Sequence, residues 1–235
     1  MTIALLAALL IAPSAEAYTM MQNDYGASLY WRQMPIKIAI NPENPYGLSD
    51  DEVEDAVLTA AETWEAVGAA IEFEYLGFTD TAEMGFDQEN VVFFTDQWEQ
   101  GDSKAAMTYN WTTEDGAIVS FDVGINSENY EWTTDELDPV MDIENVMAHE
   151  LGHVLGLGHS DIDDLATMWE STSPGELIKR SLRPDDENGL LANYGADVPM
   201  GLACSSSGSS SGSALGWLVG LSSAGLCLQR RRRDV

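Results

Sequence analysis

All three histidines of the 235-residue chain lie in one run, HELGHVLGLGH. His149 and His153 are four residues apart, a spacing that places both side chains on one face of a helix. Gly156 can adopt the left-handed conformation that ends a helix, so that the turning chain brings His159 back toward the other two. Three imidazoles with one open position form the ligand set of a catalytic zinc site. The sequence therefore predicts one Zn²⁺ held by His149, His153 and His159.

An acidic side chain accompanies these ligands. Glu150 directly follows His149 on the same edge of the predicted helix, where it can serve as the general base of a metal-assisted hydrolysis. One alternative is a surface protein that keeps the zinc site for binding or structure without turnover. Such a protein has no need of a base, so Glu150 favours an enzyme. A second alternative is an exported peptidase specific for cell-wall peptides, which would use the same chemistry.

Hydrophobic periodicity predicts five strands and three helices. The strands are expected at residues 34–40, 71–78, 90–95, 104–111 and 117–126, and the helices at about 48–70, 142–155 and 183–195. Ser49 and Glu52 can form a capping box at the start of the first helix. The core-facing stripe of that helix is predicted to comprise Val53, Val57, Ala60, Trp64 and Val67. Strands and helices do not alternate regularly, which is typical of an α+β fold.

The histidine run resembles a known signature. The pattern H-E-x-x-H-x-x-G-x-x-H resembles that of the metzincin proteases. A serine directly after the last histidine, here Ser160, resembles the matrixin branch of these proteases. The segment ATM at 166–168 resembles the family's Met-turn, and RSLRPDDENGLLANYG at 180–195 resembles its C-terminal helix. The strand AIVSFDVGIN at 117–126 is similar to the one that precedes the zinc helix. The resemblance covers roughly residues 30–195.

The resemblance implies a metzincin (zincin) fold, with a twisted five-stranded mixed sheet, three helices and the zinc cleft between two subdomains. It implies a zinc metalloendopeptidase that cleaves protein or peptide substrates, with Met168 beneath the zinc. The substrate would pair with an edge strand, for which the candidate is AAMTYNW at 105–111. The specificity pocket would be lined by WESTSPGELIKR at 169–180, where Trp169 is either a pocket wall or ordinary packing.

The N-terminal segment is typical of a secretory signal. Residues 1–17 contain an apolar stretch from Ile3 to Ala12, followed by an A-x-A cleavage pattern at Ala15 and Ala17. Export would leave a catalytic domain at residues 18–203, which contains no cysteine. We expect this domain to be a monomer that is secreted or extracellular.

The C-terminal segment has three parts. Residues 204–213 form a Cys/Ser/Gly-rich linker, and residues 214–235 contain an apolar run followed by Arg230 to Arg233. This tail resembles the bacterial sorting signals of the Myxo-CTERM and GlyGly-CTERM kind, which implies a bacterial, surface-attached protein and a sorting protease as partner. The alternative is a plain C-terminal membrane anchor. In both cases the domain would face the outside of the cell.

The charge of the chain excludes some partners. With 40 acidic and 10 basic residues, the net charge is −30, so nucleic acid is not expected to bind. Three aspartates in the segment SDIDDL, Asp161, Asp163 and Asp164, could supply oxygen ligands to Ca²⁺. Their spacing is not that of an EF-hand, and a solvated acidic loop is the alternative.

Overall fold

The computed structural model describes residues 18–195. The predicted signal peptide at 1–17, the linker at 204–213 and the tail at 214–235 lie outside the described residues, as does the end of the predicted domain at 196–203. None of the helices within residues 18–195 has the length and apolar character needed to cross a bilayer. The predicted domain boundaries therefore remain predictions.

One mixed sheet forms the framework of the described residues. Its strands are β1 (Tyr30–Trp31), β2 (Ile36–Ile40), β3 (Phe73–Phe78), β4 (Val91–Thr95), β5 (Ala106–Thr112) and β6 (Ala117–Asn126). The order is β1-β6-β4-β2-β3, and β5 pairs with β6. All pairs are parallel except β5–β6, which is antiparallel. Because β5 pairs only with β6 in this part of the chain, it lies at an edge of the sheet.

The sheet has one strand more than the five predicted. Strand β1 contains only two residues, and a separate parallel pair, β7 (Trp132–Thr133) and β8 (Met141–Asp142), is equally short. Two residues cannot show the alternation by which a strand is recognised. The five longer strands and the mixed character of the sheet agree with the prediction.

Three α-helices accompany the sheet: α1 (Asp50–Glu65), α2 (Ile143–Val154) and α3 (Pro184–Tyr194), with a short 3₁₀ helix at Ile178–Arg180. The predicted capping box between Ser49 and Glu52 is present. Four of the five predicted core residues of α1 are buried, whereas Val67 lies beyond the helix end and is half-buried. The helix is shorter than predicted because Gly68 adopts a φ of +83° just after it. The whole is an α+β fold.

Two indole groups fix the position of α2. Trp64 of α1 is fully buried and donates from Nε1 to the carbonyl of Ala148 at 2.8 Å. Trp31 of β1 donates from Nε1 to the carbonyl of Val154 at 2.8 Å, and its ring packs edge-on against Phe121 of β6 at 6.2 Å. The helix that carries the first two histidines is therefore held by polar contacts at its middle and at its end, in addition to apolar packing.

A carboxylate is buried within the sheet. Asp122 of β6 is 1% exposed, and its side chain accepts hydrogen bonds from the backbone N–H groups of Gly85 at 2.9 Å and Val91 at 3.2 Å. Burial raises the pKa of Asp122 to about 6, although these two bonds oppose the shift. Asp87 and Glu89 in the neighbouring loop add a smaller upward shift.

This buried carboxyl gives a pH-dependent stability. In the unfolded chain Asp122 loses its proton near its ordinary pKa of 3.8, and in the folded protein only near 6. The folded state therefore binds more protons between pH 4 and pH 6, so the stability from Asp122 falls as pH rises through this window. We expect Asp122→Asn to reduce the decline by about 1–3 kcal/mol, measured by urea unfolding at pH 4.5 and 7.5. If both proteins lost the same free energy of unfolding between pH 4.5 and pH 7.5, the assignment to Asp122 would be contradicted, because all other titrating groups are shared.

Candidate metal centre

Helix α2 carries His149, Glu150 and His153 and has a well-defined beginning. Asp142 caps its N-terminus by accepting a hydrogen bond from the N–H of Asn145 at 2.7 Å. Arg180 of the 3₁₀ helix binds the same carboxylate with two hydrogen bonds of 2.9 and 2.6 Å. The start of α2 is thereby tied to the segment that follows the histidine run.

The end of α2 is a Schellman turn at Gly156. Gly156 has a φ of +84°, the N–H of Leu157 donates to the carbonyl of Gly152 at 3.0 Å, and that of Gly156 donates to the carbonyl of His153 at 2.9 Å. A side chain at Gly156 would also collide with the carbonyl of Leu29. Only glycine satisfies both the backbone conformation and the close approach, and the turn sends the chain back toward His153.

The structure brings the three histidines together. Their ligand atoms all lie within 4.8 Å of one another, in the only such group of three or more histidine, cysteine or acidic side chains in residues 18–195. The Nε2 atoms of His153 and His159 are 3.2 Å apart. Two nitrogens bound to one tetrahedral zinc at 2.0–2.1 Å are separated by about 3.3 Å. The spacing of His153 and His159 therefore matches that of two ligands on one zinc ion, and His149 lies within reach of the same ion.

Backbone carbonyls orient two of the imidazoles. Nδ1 of His149 lies 2.7 Å from the carbonyl oxygen of Thr167, and Nδ1 of His153 lies 2.8 Å from that of Leu157. A carbonyl can only accept, so each Nδ1 carries the proton and each Nε2 keeps a lone pair. Such a carbonyl partner fixes both the tautomer and the ring orientation of a metal ligand.

The surroundings also keep the imidazoles neutral. Burial lowers the pKa of His149, His153 and His159, and the neighbouring His153 lowers those of His149 and His159 further. Metal binding requires the unprotonated imidazole. Burial therefore favours the unprotonated form of the three imidazoles, which is the form that binds a metal cation.

The turn at residues 166–169 packs beneath α2. Met168 is 3% exposed, and a side chain at Gly152 would collide with its sulfur and lie 2.8 Å from the Trp64 ring. Close packing therefore requires glycine at position 152, which lies between Glu150 and His153 in HELGH. Asp186 of α3 accepts hydrogen bonds from the N–H groups of Thr167 at 2.8 Å and Met168 at 2.9 Å. It also caps its own helix through the N–H of Arg183 at 2.8 Å.

A buried lysine holds the carbonyl groups of the same turn. Lys179 is 3% exposed, and its Nζ donates to the carbonyls of Trp169 at 2.6 Å, Thr167 at 3.2 Å and Ala166 at 3.4 Å. The Thr167 carbonyl is the one that orients His149. Sequence reasoning did not single out Lys179, because nothing in its neighbourhood distinguishes it from a solvated lysine.

The histidines open into a cavity of about 600 Å³. Its walls come from the first half of β5 with the preceding Lys104, from Val146 and Glu150 of α2, from Tyr130 and Met141, and from residues 169–172 with Lys179. Trp169 lines this cavity, so the segment after Met168 contributes to its wall, and the specificity pocket at 169–180 stays a prediction.

Glu150 lies at the wall of the cavity and is 5% exposed. Its Oε2 accepts a hydrogen bond from Oγ1 of Thr108 at 2.7 Å. Burial raises the pKa of Glu150 to about 7, and the bond from Thr108 and the nearby His159 and Lys104 oppose this shift. Thr108 was not singled out in the sequence as a site residue.

The predicted calcium ligands do not form a comparable group. Asp161 and Asp164 are exposed, and Asp163 is half-buried and accepts a hydrogen bond from the N–H of Leu165 at 3.0 Å. Asp163 also lies 3.8 Å from the guanidinium of Arg183. Nothing in the described residues supports calcium here, and the calcium site stays a prediction.

The fold and the site together define a metzincin-type domain, in which a helix, a glycine turn and a methionine-containing turn assemble three imidazoles. The matrixin family model matches residues 30–195, more than half of the chain. The chain therefore belongs to the matrixin family.

Several characterised metalloproteinases share part of this sequence. The metalloendoproteinase 5-MMP of Arabidopsis thaliana is 37% identical over 97 residues, which are 38% of this chain and 26% of that protein. Metalloendoproteinase 1 of Glycine max is 38% identical over 63 residues, which are 27% of this chain and 20% of that protein. Neutrophil collagenase of Homo sapiens is 30% identical over 169 residues, which are 70% of this chain and 33% of that protein. The chain spans a third or less of the length of each relative.

We expect Lys179→Met to weaken both the fold and the metal site. Three carbonyls, two of them buried, would lose a donor, which should lower the free energy of unfolding by about 2–4 kcal/mol. Zinc affinity should fall at least about 10-fold, because the Thr167 carbonyl that orients His149 is no longer fixed. Urea unfolding of the apoprotein and competition with a chromogenic chelator measure the two effects.

The matched control is Lys37→Met, which makes the same change at an exposed lysine of β2. It should leave both quantities near those of the unmodified protein. Equal behaviour of the two variants would show that Lys179 does not support the turn.

Proposed function

We propose that the predicted domain at residues 18–203 is a zinc-dependent endopeptidase that cleaves protein or peptide substrates. The observation that carries this proposal is the buried carboxylate of Glu150 at the wall of a cavity that also contains three neutral, convergent imidazoles. A non-catalytic zinc protein has no use for such a group.

His149, His153 and His159 would hold the zinc ion. When bound, zinc would act as a Lewis acid on the scissile carbonyl and lower the pKa of a water molecule toward neutrality. Glu150 would accept the proton of that water and donate it to the leaving amine.

The substrate would lie extended along β5. This strand pairs with β6 on one side only, and an unpaired strand edge offers main-chain donors and acceptors to a peptide. Ala106, Met107 and Thr108 of β5 line the cavity beside Glu150. The segment 169–172 across the cavity would form the wall of a side-chain pocket.

The location of the protein is a further part of this proposal. The apolar segment with its A-x-A pattern at residues 1–17 supports export, and the tail at 214–235 supports attachment to the cell surface or release by a sorting protease. The net charge of −30 suits an exposed, soluble domain and disfavours nucleic acid as a partner. We propose a monomer of bacterial origin.

Glu150→Gln is the decisive substitution for the catalytic role. Glutamine keeps the shape of the side chain and cannot act as a base, so cleavage of casein should fall by about 10²–10⁴-fold while zinc content is unchanged. A chelator should abolish the activity of the unmodified protein, and added Zn²⁺ should restore it.

Glu62→Gln, at an exposed position of α1, is the matched control and should cleave casein normally. Stoichiometric zinc binding without cleavage of a broad set of proteins and peptides would contradict the endopeptidase proposal. That result would favour either the non-catalytic alternative or a narrow cell-wall peptidase. Cleavage of a peptidoglycan peptide would show the peptidase, and no cleavage would favour the non-catalytic protein.

A further inference from the structure

Two side chains of β5 bind α2 directly. Residues 108 and 110 lie on the same face of the strand, because successive side chains alternate. Thr108 donates from Oγ1 to Glu150, and Asn110 donates from Nδ2 to the carbonyl of His153 at 2.9 Å. The edge strand is thus joined to the helix at the residue that would act as base and at a residue that would bind zinc.

The contact between Thr108 and Glu150 has a defined geometry. Oγ1 lies 2.7 Å from the carboxylate oxygen Oε2 and 3.0 Å from the backbone carbonyl oxygen of the same residue. A hydroxyl has one proton, and the shorter distance to Oε2 indicates that the carboxyl group receives it. The hydroxyl therefore lies between two oxygens of Glu150, and this contact restricts the rotation of the Glu150 side chain.

The surroundings make this bond important. Thr108 is 8% exposed and Glu150 is 5% exposed, so water competes little for the hydroxyl or for Oε2. No other residue between 18 and 195 donates a hydrogen bond to this carboxylate. Thr108 alone among these residues determines by hydrogen bonding where the carboxylate lies in the cavity.

We propose that Thr108 is a positioning residue for Glu150: its hydroxyl holds Oε2 and leaves Oε1 to exchange the proton of the reaction. The proposal rests on the proposed endopeptidase function. It also joins two tasks in one residue, because the backbone of Thr108 belongs to the strand edge along which the substrate would lie. Substrate binding and orientation of the base would then share one rigid element.

Threonine 108 can be tested by substitutions that separate its hydroxyl from its volume. Thr108→Val keeps the branched shape and removes the donor, whereas Thr108→Ser keeps the donor and removes a methyl group. Thr59→Val is the matched control, since Thr59 is exposed on α1, does not line the cavity, and its side chain makes no hydrogen bond among the described residues. All variants are made in the full chain, with zinc content and melting temperature recorded.

With a casein-derived peptide substrate, Thr108→Val should lower kcat about 10- to 100-fold and leave KM within about threefold, since the bond acts on the base and not on substrate binding. Thr108→Ser should recover kcat to within about threefold of the unmodified protein, and Thr59→Val should not change it. An unchanged kcat in Thr108→Val, or an equal loss in Thr108→Ser, would overturn the proposal.

A binding measurement separates this proposal from the proposed activity. A peptide hydroxamate carries an acidic O–H that a correctly placed carboxylate accepts, so its affinity reports the position of Glu150 without turnover. Calorimetric titration should show about 10-fold weaker binding by zinc-loaded Thr108→Val and normal binding by Thr108→Ser. If the unmodified protein cleaves nothing but shows this pattern, the endopeptidase proposal fails and the positioning role stands. Equal affinities, or no measurable binding by any form, overturn the positioning role.

Discussion

The site depends on a short turn that is held by opposite charges. The carboxylate of Asp186 accepts the N–H groups of the turn at 166–169, and the ammonium group of Lys179 binds its carbonyls. The carbonyl of Thr167 then orients His149, and that of Met168 accepts the N–H of Ser160 at 2.8 Å, next to the third histidine. A segment without regular secondary structure thus acquires the rigidity that a metal ligand needs.

The charged groups near the histidines are not described by the net charge of the chain alone. The net charge is −30, yet three acidic groups close to the site have defined partners: Asp186 is bonded to backbone amides, Asp142 to Arg180, and Glu150 to Thr108. Two of the three lysines of the chain, Lys104 and Lys179, line the cavity. Charges of both signs, from Lys104 and Lys179 and from Glu150 and Glu170, therefore lie around the histidines.

Sequence reasoning located what is encoded locally. The convergence of the three histidines follows from their spacing. The bounds of β6 match the predicted strand at 117–126, because the strand-like sequence continues over ten consecutive residues. Strand β1 was missed because two residues have no periodicity. Thr108 and Lys179 were missed because their partners lie 42 and 12 residues away, and no local signal marks either contact. The framework was thus predictable, and the long-range contacts that refine the site were not.

The same division between local and distant contacts affects what zinc does during folding. All three imidazoles come from eleven consecutive residues, so gathering them around an ion costs little chain entropy even before the sheet has formed. An ion that also binds partly folded chains stabilises the native state by less than its native affinity alone would give. Placing Glu150 against β5, by contrast, requires the assembled sheet. The amount of bound zinc would therefore report how many chains have formed the helix and the turn, and it would be a poor measure of how many molecules have placed Glu150 against β5.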